Sequence, residues 1–259
     1  MPSLMNTTTT LVPNRPVLEK LEELQSQVIE VKGCKALEGT LLQPNLWQKL
    51  QNLEVLNIKE TSRMEYVFEY EGLKQEHVAF RNWREMKLAY LGELKSILNG
   101  PAQYAIFHNL KVLTISECRK LKTIFTTDSS HCLMQLELEE LQVYDCSSLE
   151  TIIGASEGTL EDKIIFPQLR YISLRSLPEL KSFYSGGSGG LMNTTTTLVP
   201  NRLVLEKLEE LYVNRLNDLK ELCVGDLPHG SLGNLKVLEV KGCKALEGAL
   251  LQPNLWQKL

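Results

Sequence analysis

The chain has 259 residues and a mass of 29.4 kDa. Its 28 Lys and Arg residues nearly balance its 32 Asp and Glu residues, for a net charge of −4, so charge does not indicate a nucleic-acid or membrane-surface partner. A hydrophobic fraction of 43% excludes a disordered chain. We find no apolar run of the ~18 residues that a membrane span needs and no secretory signal pattern. We therefore expect a cytoplasmic protein.

A leucine-based motif recurs along the chain, which contains 48 leucines. The motif reads Leu-x-x-Leu-x-(Leu/Ile/Val)-x-x-(Cys/Leu/Thr), and its eight copies start at residues 26, 53, 83, 110, 138, 169, 208 and 235. The first copy is degraded, with Ser26 in place of the first Leu. The spacing of the copies is that of a leucine-rich repeat with variable loops.

Each copy predicts one short strand, because its Leu-x-Leu stretch alternates with a period of two. After the strand, apolar residues spaced by three, such as Leu91, Leu94 and Ile97, indicate a 3₁₀ or irregular return segment. We therefore predict an α/β leucine-rich-repeat solenoid of seven to eight repeats, with a curved parallel sheet on its concave face and a mostly irregular convex side. Three phenylalanines that precede strands are interpreted as core residues of the convex side: Phe80, Phe107 and Phe166.

Parts of the sequence occur twice. Residues 4–15 recur identically at 191–202, and residues 17–24 recur at 204–211. Residues 30–50 recur at 239–259, with Thr40 replaced by Ala249. The first of the two duplicated blocks, residues 4–50, is therefore shorter than the second, residues 191–259, by nearly one repeat. A recent duplication and a misjoined gene model both explain this pattern.

Residues 184–202 interrupt the repeats with a Gly- and Thr-rich stretch, the composition of a flexible linker. The predicted organisation is leucine-rich repeats over 1–183, a loop or linker over 184–202, and further repeats over 203–259 with an uncapped C-terminus. We expect an extruded loop within one solenoid, and a domain boundary at this point is the alternative.

The sequence offers little catalytic chemistry. We find no phosphate-binding loop and no zinc motif, so we expect no enzyme activity, catalytic residue, cofactor or metal. Cys34, Cys118, Cys146 and Cys243 fill the ninth position of their copies. We interpret them as buried free thiols, with a ladder of metal-binding thiolates as the alternative.

Strand alternation also predicts which side chains leave the core. With the first Leu of each copy as position one, positions three, five, seven and eight lie on the concave face. From these positions we predict a protein-binding surface that contains Lys87, Tyr90, Gln142, Tyr144, Asp145, Tyr171, Ser173, Arg175, Tyr212, Asn214 and Arg215. Tyrosines among arginines are typical of binding hot spots, although tyrosine also simply suits a strand surface.

The Cys-containing repeats and the segments NLKVLTISECRKLKTIF (109–125) and FPQLRYISLRSLPELKSF (166–183) resemble a known family. They are similar to the C-terminal repeats of plant intracellular nucleotide-binding leucine-rich-repeat disease-resistance receptors with an N-terminal coiled coil. The resemblance covers the chain apart from the Gly/Thr-rich stretch. It implies a protein ligand, either a pathogen effector or a guarded host protein. In a full-length receptor, it also implies an intramolecular contact with the nucleotide-binding domain.

The resemblance does not extend to every part of such a receptor. The nucleotide-binding and coiled-coil parts have no counterpart in this sequence, so ATP binding and signalling are not implied. We expect neither a nucleic acid nor a membrane as partner. Two other hypotheses remain open: a protein-interaction scaffold without an immune role, and a non-functional receptor fragment.

Overall fold

The computed structural model of the protein describes most of the repeat region. The described residues are 8–11, 27–35, 37–47, 50–69, 81–99, 107–127, 136–155, 164–185, 196–200, 203–223, 227 and 229–246. Phe80 and Ser26 lie outside these residues.

The described residues contain nineteen β-strands and one short helix, Pro44–Trp47. In chain order the strands are β1 (Thr8–Leu11), β2 (Val28–Lys32), β3 (Glu38–Leu42), β4 (Val55–Lys59), β5 (Arg63–Glu69), β6 (Glu85–Ala89), β7 (Ser96–Asn99), β8 (Val112–Ser116), β9 (Thr123–Thr127), β10 (Glu140–Tyr144), β11 (Thr151–Ala155), β12 (Ile164–Ile165), β13 (Tyr171–Arg175), β14 (Ser182–Ser185), β15 (Thr197–Val199), β16 (Leu203–Val204), β17 (Glu210–Asn214), β18 (Glu221–Cys223) and β19 (Val237–Lys241).

Nine strands form one parallel sheet, in the order β1-β2-β4-β6-β8-β10-β13-β17-β19. Every strand of this sheet except β1 is the Leu-x-Leu stretch of one motif copy. In β10, for example, Leu141 and Val143 are buried, while the alternate residues Glu140, Gln142 and Tyr144 face outwards. From β2 to β19 the strands pair at equal motif positions. The predicted leucine-rich-repeat solenoid with a parallel sheet is confirmed.

The residue at position eight bends the chain out of each strand with a positive φ. Gly33 and Gly242 occupy this position in two repeats, with φ of 66° and 65°. In the others it is a non-glycine residue with φ between 53° and 59°: Glu60, Tyr90, Glu117, Asp145, Ser176 and Arg215. Its N–H still donates to the next repeat, as from Asp145 to the Arg175 carbonyl at 3.0 Å. The bend turns the side chain at position nine into the core.

The return segments are more regular than the spacing of three predicts. After a turn at residues 91–94, for example, the chain enters β7 rather than an irregular segment. The return strands form parallel ladders of their own, β3-β5-β7, β9-β11-β14, β15-β18 and β12-β16. Successive returns lie side by side at about the spacing of the inner strands, ~4.8 Å, so their backbone groups can pair with each other.

Aromatic rings fill the core between the two layers of strands. Trp83, Phe68 and Phe107 pack as a triangle of rings: the Trp83 centroid is 5.3 Å from Phe68 and 5.7 Å from Phe107, and the two phenylalanines are 6.1 Å apart. Phe107 and Phe166 are buried, which confirms the interpretation of these two residues as core. Phe107 continues the series to Phe125, at a centroid distance of 5.9 Å. This chain of rings links successive turns of the solenoid.

The duplicated Thr-rich segment forms strands in two different sheets. Residues 8–11 and 195–198 have the same sequence, but β1 pairs with β2 in the concave sheet, whereas β15 pairs with β18 on the return side. The first block, residues 4–50, lacks counterparts of Tyr212, Val213 and Asn214, which complete β17 in the second block, residues 191–259. As a result, β1 occupies the place beside β2 that β17 occupies beside β19.

The segment 184–202 contains part of this structure. Its described residues include β15, where Leu198 and Val199 are buried. The concave sheet continues across the segment, because β13 and β17 are direct neighbours. The division of the chain into three parts at this segment stays a prediction.

Candidate protein-binding site

Equal register arranges the outward side chains of the concave sheet in rows across the repeats. Glu140 and Glu210 lie directly opposite Tyr171 on its two neighbouring strands. Four residues further along β13, Arg175 lies opposite Tyr144. Residues that are distant in sequence therefore become neighbours at intervals of about 4.8 Å.

A shallow groove of ≈ 440 Å³ crosses this face. Eight of the eleven residues predicted for the binding surface line it: Tyr90, Tyr144, Asp145, Tyr171, Ser173, Arg175, Tyr212 and Asn214. Lys87, Gln142 and Arg215 belong to the same face but not to the groove lining. The solenoid thus places four tyrosines from four repeats around one depression.

The tyrosine hydroxyls hold the rings against the sheet. Tyr144 donates a hydrogen bond to the side-chain oxygen of Gln142, and Tyr212 donates to the Glu210 carboxylate, both at 2.8 Å. The hydroxyl of Tyr171 is hydrogen-bonded to Ser173. In each case the partner is two residues away on the same face of the strand, a distance of nearly 7 Å. A ring that spans this distance lies along the strand and presents a face to solvent.

Two of these rings contact each other across the repeats. Tyr171 and Tyr212 have centroids 5.4 Å apart and planes inclined by 40°, within the range of favourable aromatic pairs. The Gly/Thr-rich stretch separates these tyrosines in sequence, but β13 and β17 pair directly. Tyr212 therefore belongs to the same surface as Tyr171.

Two of the predicted residues differ strongly in exposure. Tyr90 is 59% exposed, because the bend at position eight carries it to the rim of the groove. Ser173, which alternation places outside, is only 9% exposed. It lies between Gln142 and Tyr212 in its row and bonds to the Tyr171 hydroxyl, so its larger neighbours cover it.

Sequence reasoning missed part of the groove. Ser116, Glu117 and Glu239 also line it. They occupy positions seven, eight and five of the repeats that start at residues 110 and 235. The predicted surface took no residue from these two repeats. The same position rule, applied to every copy, identifies all three residues.

Nearby carboxylates raise the pKa values of two tyrosines in the groove. Burial raises the pKa of Tyr171, and the nearby Glu210 and Glu140 raise it further. The pKa of Tyr212 is raised mainly by its hydrogen bond to Glu210. In both cases negative charge nearby opposes formation of a phenolate, so the tyrosines are neutral at physiological pH.

The part of the concave face towards the N-terminus has a different character. Lys32 lies 3.7 Å from Glu60, and Lys87 forms an ion pair with Glu85. These side chains are largely exposed, so each pair contributes little to stability. The tyrosines of the groove lie further along the solenoid, from Tyr90 onwards.

Position nine, beneath the concave sheet, is a cysteine in four of the eight copies and Thr or Leu in the others. Cys34, Cys118 and Cys146 are buried, and Cys243 is partly exposed. Each thiol lies near the carbonyl oxygen two residues earlier, from 3.3 Å for Cys146 to 3.7 Å for Cys243. A hydrogen bond with Cys146 and burial raise the pKa of Cys118 well above its usual value. The interpretation of the first three as buried thiols is confirmed.

Metal ligands do not cluster in the part of the chain that the structure describes. The described residues contain no group of three or more His, Cys, Asp or Glu side chains that is able to hold a metal ion. They also contain no helix with the length and apolar character for crossing a membrane.

Comparison with known proteins places the repeats in a family. Relatives from Arabidopsis thaliana include probable disease resistance protein At4g27220, 31% identical over 53% of this chain, and disease resistance protein At4g27190, 32% identical over 42%. Probable disease resistance protein At1g12290 is 30% identical over 60%. The chain spans only 13%, 9% and 16% of the length of these relatives. Residues 5–138, just over half of the chain, match the family model "Plant disease resistance protein RPS2-like, leucine-rich repeats". The chain therefore belongs to this family of plant disease-resistance leucine-rich repeats.

Proposed function

We propose that this chain is the recognition module of a plant intracellular immune receptor and binds a protein through the concave groove. The partner is a pathogen effector or a guarded host protein, and the site of action is the cytoplasm. In a full-length receptor, the module also contacts the nucleotide-binding domain. The relatives support the immune role, because they are disease resistance proteins or probable ones by name.

The observation that carries the proposed binding face is the clustering of Tyr90, Tyr144, Tyr171 and Tyr212 around one groove. Tyrosine is enriched at protein interfaces because it offers a large, rigid contact area with a polar end. In three of the four, the hydroxyl is already held by a neighbour. Ordering these rings on binding therefore costs little entropy. Leucine-rich repeats of this kind are typically binding modules, and the proposal assigns no catalysis to the groove.

The test compares groove variants in direct binding. Proteins that the chain captures from plant tissue are purified. Only those that bind the purified chain directly are used in the affinity measurements. Tyr144→Ala, Tyr171→Ala and Arg175→Ala should each weaken binding by about 1–3 kcal/mol. The melting temperature should change little, because these side chains are partly or largely exposed.

Two controls distinguish the concave face from the rest of the molecule. Lys122→Ala removes an exposed charge beside β9, and Tyr66→Ala removes a partly exposed tyrosine from the return strand β5. Both should leave affinity unchanged. If the controls weaken binding as much as the groove variants do, the concave face is not the binding site.

A further inference from the structure

The centre of the groove combines aromatic faces with negative charge. Tyr171 and Tyr212 form a platform of two rings in contact. Their hydroxyls are tied along their own strands, so the ring faces are turned outwards. The face of an aromatic ring carries partial negative charge and attracts cations.

Two carboxylates lie on either side of Tyr171, next to the residues that line the groove. Glu140 and Glu210 lie opposite Tyr171 on β10 and β17. Glu140 forms no ion pair with any described residue, and among the same residues the Glu210 carboxylate accepts a side-chain hydrogen bond only from the Tyr212 hydroxyl. The platform is therefore flanked by two negative charges that no described cation neutralises.

Glu85 and Glu239, two carboxylates of the same face, are neutralised locally. Glu85 has Lys87 two residues along its strand, and Glu239 likewise has Lys241 at 2.8 Å. At the equivalent place, Glu140 is followed by Gln142, and Glu210 by Tyr212. The absence of a lysine two residues onward thus distinguishes the two carboxylates that flank Tyr171.

Arg175, the one cation among the residues that line the groove, and Arg215 on the same face both lie towards the strand ends. Arg175 is four residues beyond Tyr171 on the same strand, a distance of about 13 Å. Arg215 is five residues beyond Glu210, at the bend that follows β17. At this range, solvent weakens their attraction for the carboxylates at the strand starts. Arg170 directly precedes Tyr171 and is exposed, but among the described residues no ion pair joins it to Glu140 or Glu210. These two carboxylates therefore remain available to a partner.

We propose that Tyr171, Tyr212, Glu140 and Glu210 form a subsite that binds an arginine side chain of the partner protein. The inference rests on the proposed binding function and specifies the chemistry of one contact within it. A guanidinium is planar and stacks on aromatic rings, and its donors match a carboxylate in a two-pronged geometry. A lysine ammonium offers neither feature, so arginine is the preferred residue.

The experiment uses the full chain and a library of random ten-residue peptides displayed on phage. Selection is run in parallel on the wild-type chain, on Tyr171→Ala, and on the double variant Glu140→Gln/Glu210→Gln. Gln keeps the size and hydrogen-bonding capacity of Glu but removes its charge. Lys122→Ala serves as the surface control, and circular dichroism melting checks that each variant is folded.

Peptides selected on the wild-type chain should be enriched in arginine, and Tyr171→Ala should abolish that enrichment. One selected peptide is then synthesised with arginine and with citrulline, its neutral isostere. The arginine peptide should bind the wild-type chain about tenfold more tightly than the citrulline peptide. On the Glu140→Gln/Glu210→Gln variant this ratio should fall towards one, since the double-mutant cycle isolates the contact.

Two further outcomes would each overturn the subsite. One is selection of groove-dependent peptides without arginine enrichment; the other is an arginine-to-citrulline ratio unchanged by Glu140→Gln/Glu210→Gln. Either leaves the proposed binding face intact. If Tyr171→Ala leaves the affinity of the selected peptides unchanged, or if no peptide is selected, both the binding face and the subsite are wrong.

Discussion

Val31 and Val240 occupy the same position in two stretches of identical sequence, residues 30–37 and 239–246, but only Val31 is fully buried. The difference comes from the next turn of the solenoid. β2 is covered by β4, whereas among the described residues β19 has a neighbour on one edge only. The two valines therefore form a natural matched pair for measuring what one neighbouring turn contributes.

We predict that Val31→Ala costs about 1–2 kcal/mol more in the free energy of unfolding than Val240→Ala. Both changes remove the same atoms from the same local sequence, but only Val31 leaves an enclosed cavity. Urea unfolding followed by circular dichroism measures both costs. Equal costs would show that the covering turn does not protect Val31.

Thr61 is the one hydroxyl residue at position nine, where the other copies have Cys or Leu. It fills position nine and is buried, but its hydroxyl has no hydrogen-bond partner among the described residues. The cysteines at this position lie near the carbonyl two residues earlier, and a thiol costs less to bury than a hydroxyl. Thr61→Cys should therefore raise the stability by about 1 kcal/mol. Thr61→Ser retains the hydroxyl and should give no gain. Thermal unfolding of both variants checks this, and a gain with Ser would refute the explanation.

Ser176 tests the bend at position eight, where its φ is 53°. Its N–H donates to the Asn214 carbonyl at 2.8 Å, so the bend is part of the ladder between β13 and β17. A β-branched residue is strongly disfavoured at this φ. Ser176→Val should lower the stability by about 1–2 kcal/mol, whereas Ser176→Gly should be nearly neutral. Chemical denaturation compares the two, and a neutral valine would mean that the bend relaxes freely.

Cys223 should make the stability depend on alkaline pH. Burial raises the pKa of its thiol from 9.0 to about 12. A raised pKa in the folded state adds stability that is complete below pH 9 and is lost as the pH rises towards 12. The loss should be on the order of 1 kcal/mol per pH unit in this window. Cys223→Ala should flatten the pH profile relative to wild type, and identical slopes would contradict the buried thiol.

The position rule placed Tyr144, Tyr171 and Tyr212 on the concave face, because a strand alternates its side chains strictly. It did not reveal that Tyr171 and Tyr212 touch, since the contact depends on β13 and β17 being neighbours across the Gly/Thr-rich stretch. Nor did it show that Ser173 is covered, because the covering groups come partly from other strands. Distances between repeats require the register, which no single repeat contains.

The sequence by itself determined the repeat and its inner strand, because the leucine spacing leaves each turn with one apolar face that only a parallel stack can bury. Only the tertiary structure decided which sheet each of two identical sequences joins. Residues 8–11 join the concave sheet, whereas Thr197 and Leu198 of the matching stretch join a return ladder, since the first block has no counterpart of Tyr212–Asn214. Val31 is also more deeply buried than Val240, because β4 covers β2, whereas β19 has one neighbour among the described residues. In a solenoid, the environment of a side chain is set by the adjacent turn as much as by its own sequence.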